Sequence, residues 1–191
     1  MGTIMVTEFV SLDGVMEDPG GAEDFNYGGW TFEVGMGDDG GAFKFEESRK
    51  SAALLLGRVT YEGFAAAWPS RAGEFADMFN AMPKYVVSST LADPEWNNTT
   101  VLEGDVVESV SRLREEVDGE IAVHGSAQLV QTLVEHDLVD ELHLMVFPVV
   151  LGSGKRLFAD TSDKTRLQLV ESRTVGNGVA LLIYRRSGSS P

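Results

Sequence analysis

The sequence predicts an α/β fold with a largely parallel sheet and an antiparallel edge. Three observations carry this reading. Short apolar, β-branched runs alternate with amphipathic helical stretches through the middle of the chain. Two of those runs pass directly into a small-residue turn that opens a helix: Leu54-Leu55-Leu56-Gly57 before Arg58, and Ile121-Ala122-Val123 before Gly125-Ser126-Ala127. The chain then closes with β-rich segments on either side of Gly176-Asn177-Gly178, the turn chemistry of an antiparallel hairpin.

Taken in order, Thr3 to Val10 reads as a first strand buried on both faces and closed by Ser11-Leu12-Asp13-Gly14. Residues 18–41 are crowded with Gly, Asp and aromatic side chains, which suits a long functional loop. Trp30 and Phe32 within it either cover a ligand or anchor the loop. A charged helix is expected from Phe43 to about Ala52, a strand over Ala53 to Leu56, and a helix from Arg58 to about Ala67 that stops at Trp68-Pro69. Lys84 to Ser89 is the next strand, ending in the hydroxyl cluster Ser88-Ser89-Thr90. Thr99 to Leu102 forms a short strand, and Val106 to Val117 a helix with Val106, Val110, Leu113 and Val117 on one side. Leu129, Val130, Leu133 and Val134 give the helix after Gly125 its apolar face. Leu138 to Val150 reads as a long strand, and Leu167 to Thr174 pairs with Val179 to Arg186 in the hairpin. A single domain over residues 1–187 is expected, with a disordered tail at 188–191.

Composition narrows the function. The 191 residues are 43% hydrophobic, enough for a sizeable core, and carry a net charge of −15. Such a surface repels polyanions, so neither nucleic acid nor an anionic membrane is an expected partner, whereas a small phosphorylated ligand gripped by a local Arg and backbone amides is compatible with it. There is no cysteine, hence no disulfide, thiol nucleophile or Cys-based metal site. No basic leader and no run approaching a membrane span is seen, so the cytoplasm is the expected location.

In an open α/β sheet, ligands gather at the carboxyl ends of the parallel strands. Those ends carry Asp13, then Gly57, Arg58 and Thr60, then Ser88 and Ser89, then His124, Gly125, Ser126, Ala127 and Gln128. Two abrupt helix starts with an Arg and several hydroxyls supply donors for two separated phosphates, as in a dinucleotide; the same residues taken singly suit ordinary caps and turns. The three histidines lack metal-ligand spacing and are expected on solvated surface, so no metal is expected. Walker, nucleophile-elbow and Rossmann glycine signatures do not occur at a strand–helix junction.

The segments SLDG (Ser11 to Gly14), LLLGRVTYE (Leu54 to Glu62), VVSST (Val86 to Thr90), VHGSAQLVQTLVEHDLVDELHL (Val123 to Leu144) and PVVLGSGKRLF (Pro148 to Phe158) are similar, in order and spacing, to those of the dihydrofolate reductase-like superfamily. Within it the chain most resembles the reductase domain of bacterial riboflavin biosynthesis. The resemblance implies a three-layer fold with about eight strands and NADP(H) as cofactor. It implies that Gly57, Arg58 and Thr60 hold cofactor phosphates, Ser88 and Ser89 the 2′-phosphate side, and Gly125 to Gln128 the pyrophosphate. Dihydrofolate reductases carry a carboxylate on the helix before the LLLGR-like strand. Counting back from Gly57 reaches Gly41 or Ala42, and none of Asp38, Asp39, Glu46 or Glu47 matches without a shift. The riboflavin reductase typically has an acidic residue, contacting its substrate, where this chain has His124.

The expected function is an NADPH-dependent reductase of a small heterocyclic or carbonyl/imine substrate, with Asp13, Tyr61 and His124 on the substrate side. Each has a plain structural alternative: a turn residue, a core aromatic and a strand-end hydrogen bonder. A non-catalytic nucleotide-binding or regulatory module on the same fold is the competing reading, and a flavin or deazaflavin carrier a third. A homodimer is expected, through Leu138 to Val150 and the hairpin.

Overall fold

The computed structural model describes residues 1–158 and 164–187. Eight strands form one sheet, namely β1 (Thr3–Ser11), β2 (Ser51–Gly57), β3 (Lys84–Val87), β4 (Thr99–Leu102), β5 (Glu120–His124), β6 (Glu141–Phe147), β7 (Leu167–Val175) and β8 (Val179–Arg186). Their order across it is β4-β3-β2-β5-β1-β6-β8-β7. The strands from β4 to β6 are parallel, and the β7–β8 hairpin adds antiparallel to β6.

Helices cover both faces, as expected where parallel strands need crossover connections. Strand alternation sends Ile4, Val6, Glu8 and Val10 of β1 to one face. There α5 (Val106–Glu116) and α6 (Ala127–Glu135) lay Val110, Leu113, Leu129, Val130 and Leu133 on Val6, Leu55, Ile121 and Val123. On the other face, Tyr61 of α3 (Arg58–Ala67) and Phe79 of α4 (Glu74–Ala81) pack on Met5, Leu54, Leu56 and Ala122. Further along that face, Trp30 of α1 (Trp30–Val34) joins Met145, Phe147 and Leu181, with Phe43 of α2 (Gly37–Lys50) packed alongside. Thr7 and His143, in register across β1 and β6, lie on this second face and belong to neither apolar group.

Two expectations require correction. Residues 18–41 are not one long loop, because α1 sits within them and α2 begins at Gly37. Trp30 is the anchor: it is buried, meets Phe147 edge-on at 5.4 Å and donates Nε1–H to the Glu17 carbonyl, whereas Phe32 is exposed. Helix α2 is hard to read because the side chains it buries are Glu47 and Ser48, not an apolar stripe. Its ends suit the macrodipole instead, with Asp38 and Asp39 in the first turn and Arg49 and Lys50 in the last. The strand expected over Leu138 to Val150 shortens to β6, although Leu138 and Val139 are buried just before it.

Ser187 donates its N–H to the Arg166 carbonyl, and the expected tail at 188–191 lies outside the described residues. No helix among the described residues is long and apolar enough to cross a membrane.

Candidate functional site

The carboxyl ends of β3, β2, β5 and β1 are consecutive along one rim, because these strands are neighbours and parallel. This brings Ser88, Arg58, Gly125 and Asp13 to the same side of the sheet. The β2–α3 and β5–α6 junctions are locked together there. Gly57 donates its N–H to Ser126 Oγ at 2.8 Å, and Ser126 donates its hydroxyl to Thr60 Oγ1 at 2.9 Å. A Cβ at Gly57 would lie 3.1 Å from Ser126 Oγ, and one at Gly125 would lie 2.8 Å from Thr60 Oγ1. The two glycines therefore let turn pack on turn, a tighter requirement than ligand approach alone. Gly125 and Ser126 both have left-handed backbones, with φ of 56° and 62°.

Neither α3 nor α6 has a side-chain N-cap bond or an acidic residue in its first turn. Their amino ends thus offer unpaired N–H groups and positive dipole ends, with Ala127 opening α6 and Gln128 exposed beside it. Arg58 is exposed and pairs with Glu62 one turn on at 2.9 Å. Such a surface pair contributes only about 0.3–0.5 kcal/mol, so the guanidinium is readily redirected to a phosphate. Ser88 Oγ accepts the Leu91 and Thr90 N–H groups at 2.9 and 3.2 Å, and Ser89 is exposed.

The three expected substrate-side residues differ in what they hold. Asp13 binds the Ser11 hydroxyl at 2.7 Å and the Leu151 and Gly152 N–H groups at 3.1 and 2.9 Å. The Ser11 bond, with those two, holds its carboxyl at about 2. Tyr61 is buried, and its hydroxyl accepts the Trp96 N–H at 3.1 Å. His124 is different. Its ring lies against Phe79 and Phe64, with centroids at 5.6 and 6.2 Å, and its nitrogens have no hydrogen-bond partner among the described residues. Burial, then the nearby Lys44 cation, pushes its pKa down to about 3, so the imidazole is neutral at pH 7.

Beside it lies a polar cluster that the sequence reading missed. Thr7 is the register partner of both His124 and His143. The Lys44 ammonium, reaching in from α2, donates to Thr7 Oγ1 at 2.5 Å and to Glu47 Oε2, while Thr7 donates to Glu47 Oε2 at 2.8 Å. Glu47 Oε1 is 2.7 Å from His143 Nδ1, and Glu141 Oε2 is 3.0 Å from Nε2. Burial alone would raise Glu47; the charge of Lys44 and the bonds from His143 and Lys44 overcome it and hold the carboxyl at about 2. Burial likewise pushes His143 down, but its two carboxylates prevail and raise it to about 9. Far from solvated surface, His143 is a buried imidazolium between carboxylates. An ammonium has three N–H donors, and two of Lys44's are used by protein acceptors. Lys44 and His124 thus present a fixed cation and a neutral ring side by side.

The model of the RibD C-terminal domain family matches residues 2–181. Two Bacillus subtilis (strain 168) proteins, the uncharacterised YyaP and YwjB, are each 29% identical to the chain, over 94% and 92% of it and over 92% and 94% of their own lengths. Among solved structures, a putative riboflavin biosynthesis protein from Shewanella sp. PV-4 superimposes with a TM-score of 0.78 at 20% identity, over 97% of this chain and 99% of that one. A pyrimidine reductase-like protein from Corynebacterium diphtheriae gives a TM-score of 0.63 with 14% identity over 98% of this chain and 92% of that one. RibD of Acinetobacter baumannii gives 0.65 at 14% identity over 98% of this chain but 58% of its own length. These likenesses establish the dihydrofolate reductase-like fold.

Proposed function

The chain belongs to the RibD C-terminal domain family, a reductase family, and on that footing we propose that it is an NADPH-dependent reductase of a small heterocyclic, carbonyl or imine substrate. The observation that carries the proposal is the pair of uncapped helix starts, fixed side by side by the Gly57–Ser126–Thr60 bonds at the rim of adjacent parallel strands. Donors in that arrangement suit a ligand with separated phosphates. Arg58, Ser88 and Ser89 would take the 2′-phosphate, and the α6 start, Gly125 to Gln128, the pyrophosphate.

When bound, the coenzyme supplies the hydride. The chain's part is to orient the acceptor carbon and to meet the charge left on its oxygen or nitrogen. Lys44 Nζ, compensated by Glu47, and the neutral His124 ring are the groups suited to that task. Asp13 holds the turn after β1 against residues 151–152, and Tyr61 fixes the Trp96 segment; both support the site through structure.

The test is titration of the wild-type protein with NADPH, followed by absorbance at the nicotinamide band with a panel of pterins, pyrimidines and quinonoid compounds. Saturable binding with oxidation by at least one compound is expected. Tight binding with no oxidation by any of them supports the regulatory module instead, and no saturable NADPH signal contradicts both readings.

A further inference from the structure

Among the described residues, three buried side-chain atoms lack a hydrogen-bond partner: Glu8 Oε1, Asp18 Oδ2 and Ser48 Oγ. Glu8 is the one that lies at the rim. Its position follows from the strand register. Pairing of β1 with β5 stops at Thr7 opposite His124, whereas pairing of β1 with β6 continues to Ser11. Glu8 is therefore the first β1 residue beyond the point where β5 turns away into Gly125 and Ser126. The Gly125 N–H lies close enough to its carboxyl group to favour the ionised form, which places the carboxyl two residues before the uncapped start of α6.

A carboxyl in this position is costly unless something answers it, since a buried polar atom without a partner forfeits its hydration and receives nothing in return. An ionised carboxylate would also repel any phosphate brought to the same turn. Burial dominates here and holds Glu8 well above the ordinary 4.5; the Gly125 N–H and Lys44 oppose the rise and Glu47 adds to it. The charged groups near this end of β1 are Lys44 and Glu47 of α2, which with the neutral His124 of β5 lie across the sheet from Glu8. A neutral carboxyl has a donor as well as acceptors.

We propose that Glu8 is a coenzyme-binding residue whose buried, unpartnered Oε1 forms a hydrogen bond, as a carboxyl O–H donor, to an acceptor oxygen of NADPH, on a phosphate or on the carboxamide, beside the Gly125 turn. This rests on the coenzyme reading above and adds to it a residue on the opposite face of the sheet from Lys44. It also explains why a buried acid lies beneath a site for anions: with its proton in place it attracts them.

The test compares wild type, Glu8→Gln, Glu8→Met and Glu8→Ala at pH 7, each checked for native folding by circular dichroism. Binding of NADPH and of 2′-phospho-ADP-ribose, which lacks the nicotinamide, is measured by calorimetric titration. Glu8→Gln keeps a neutral donor and an acceptor for Gly125, so its NADPH affinity should stay within about threefold of wild type, while a donor-less variant should weaken by about tenfold or more. The Ala variant serves where the Met variant does not fold. Loss on both ligands assigns the acceptor to a phosphate, and loss on NADPH alone assigns it to the carboxamide. Donor-less variants that bind NADPH like wild type overturn the inference, as does a Gln variant that loses as much as they do. Wild type that saturates with neither ligand instead removes the coenzyme reading itself.

Discussion

Ser126 and Thr60, 66 positions apart, meet hydroxyl to hydroxyl at 2.9 Å, while Ser126 also accepts the Gly57 N–H at 2.8 Å. One side chain thereby sets the spacing of two strand–helix junctions, and everything proposed about phosphate binding depends on that spacing. Replacing it tests the link between local geometry and ligand binding.

Ser126→Ala removes both bonds and puts a residue less tolerant of the left-handed backbone at φ 62°. The expected loss is about 2 kcal/mol in urea unfolding, from an unmet Gly57 N–H and the lost hydroxyl pair, together with weaker NADPH binding. Ser126→Gly should recover part of the stability, because it relieves the backbone, but not the binding. Binding unchanged in both variants would detach the junction from the ligand.

The buried imidazolium makes stability depend on pH with a definite sign. His143 is raised from 6.5 to about 9, so its contribution is complete below 6.5 and is lost as pH rises through about 9. Glu47, lowered from 4.5 to about 2, contributes fully above 4.5 and loses its share as pH falls through about 2. Thermal melts of wild type against His143→Gln should therefore show a stability difference that shrinks between pH 6.5 and 9.5. A difference that is flat or grows over that interval would mean His143 is not held as the cation.

Strand β7 lies at the sheet edge, and Leu167 through Thr174 are all exposed, Leu167, Leu169 and Val170 among them. An apolar edge left open invites pairing with another strand. We propose that this edge is where two copies meet. Sedimentation equilibrium should give about twice the 20.7 kDa chain mass, and Leu169→Lys with Val170→Lys should shift it to one. A monomeric wild type contradicts the dimer; a dimer that survives both changes places its interface elsewhere.

Much of this fold was legible because packing and pattern agree. Helix α3 and strand β4 begin and end where the sequence places them, since Gly57 starts one and a β-branched run bounded by polar residues makes the other. Helix α4 was missed, although Ala76 and Phe79 give it a buried face, because it is short and follows a Pro- and Gly-containing turn. The Thr7–Lys44–Glu47–His143 cluster escaped for a different reason. Thr7, the Lys44–Glu47 pair and His143 are far apart in sequence, with Thr7 read only as part of a buried strand, Lys44 and Glu47 as part of a charged helix and His143 as solvated surface. The available signal was parity: Glu141 and His143 occupy the same face of β6 as Met145 and Phe147, so a charged pair was being turned inward. Glu8 gives the same signal on β1, between the buried Val6 and Val10.

On the proposed reading, the rim grips a coenzyme bearing a 2′-phosphate, with Arg58 its principal cation. The most direct measurement is the dissociation constant of NADPH and of NADH for wild type and Arg58→Ala, at fixed ionic strength. A charged hydrogen bond contributes about 1.5–3 kcal/mol, so the variant should lose roughly ten- to a hundredfold for NADPH and little for NADH. Equal losses for the two coenzymes, or none for either, would contradict it.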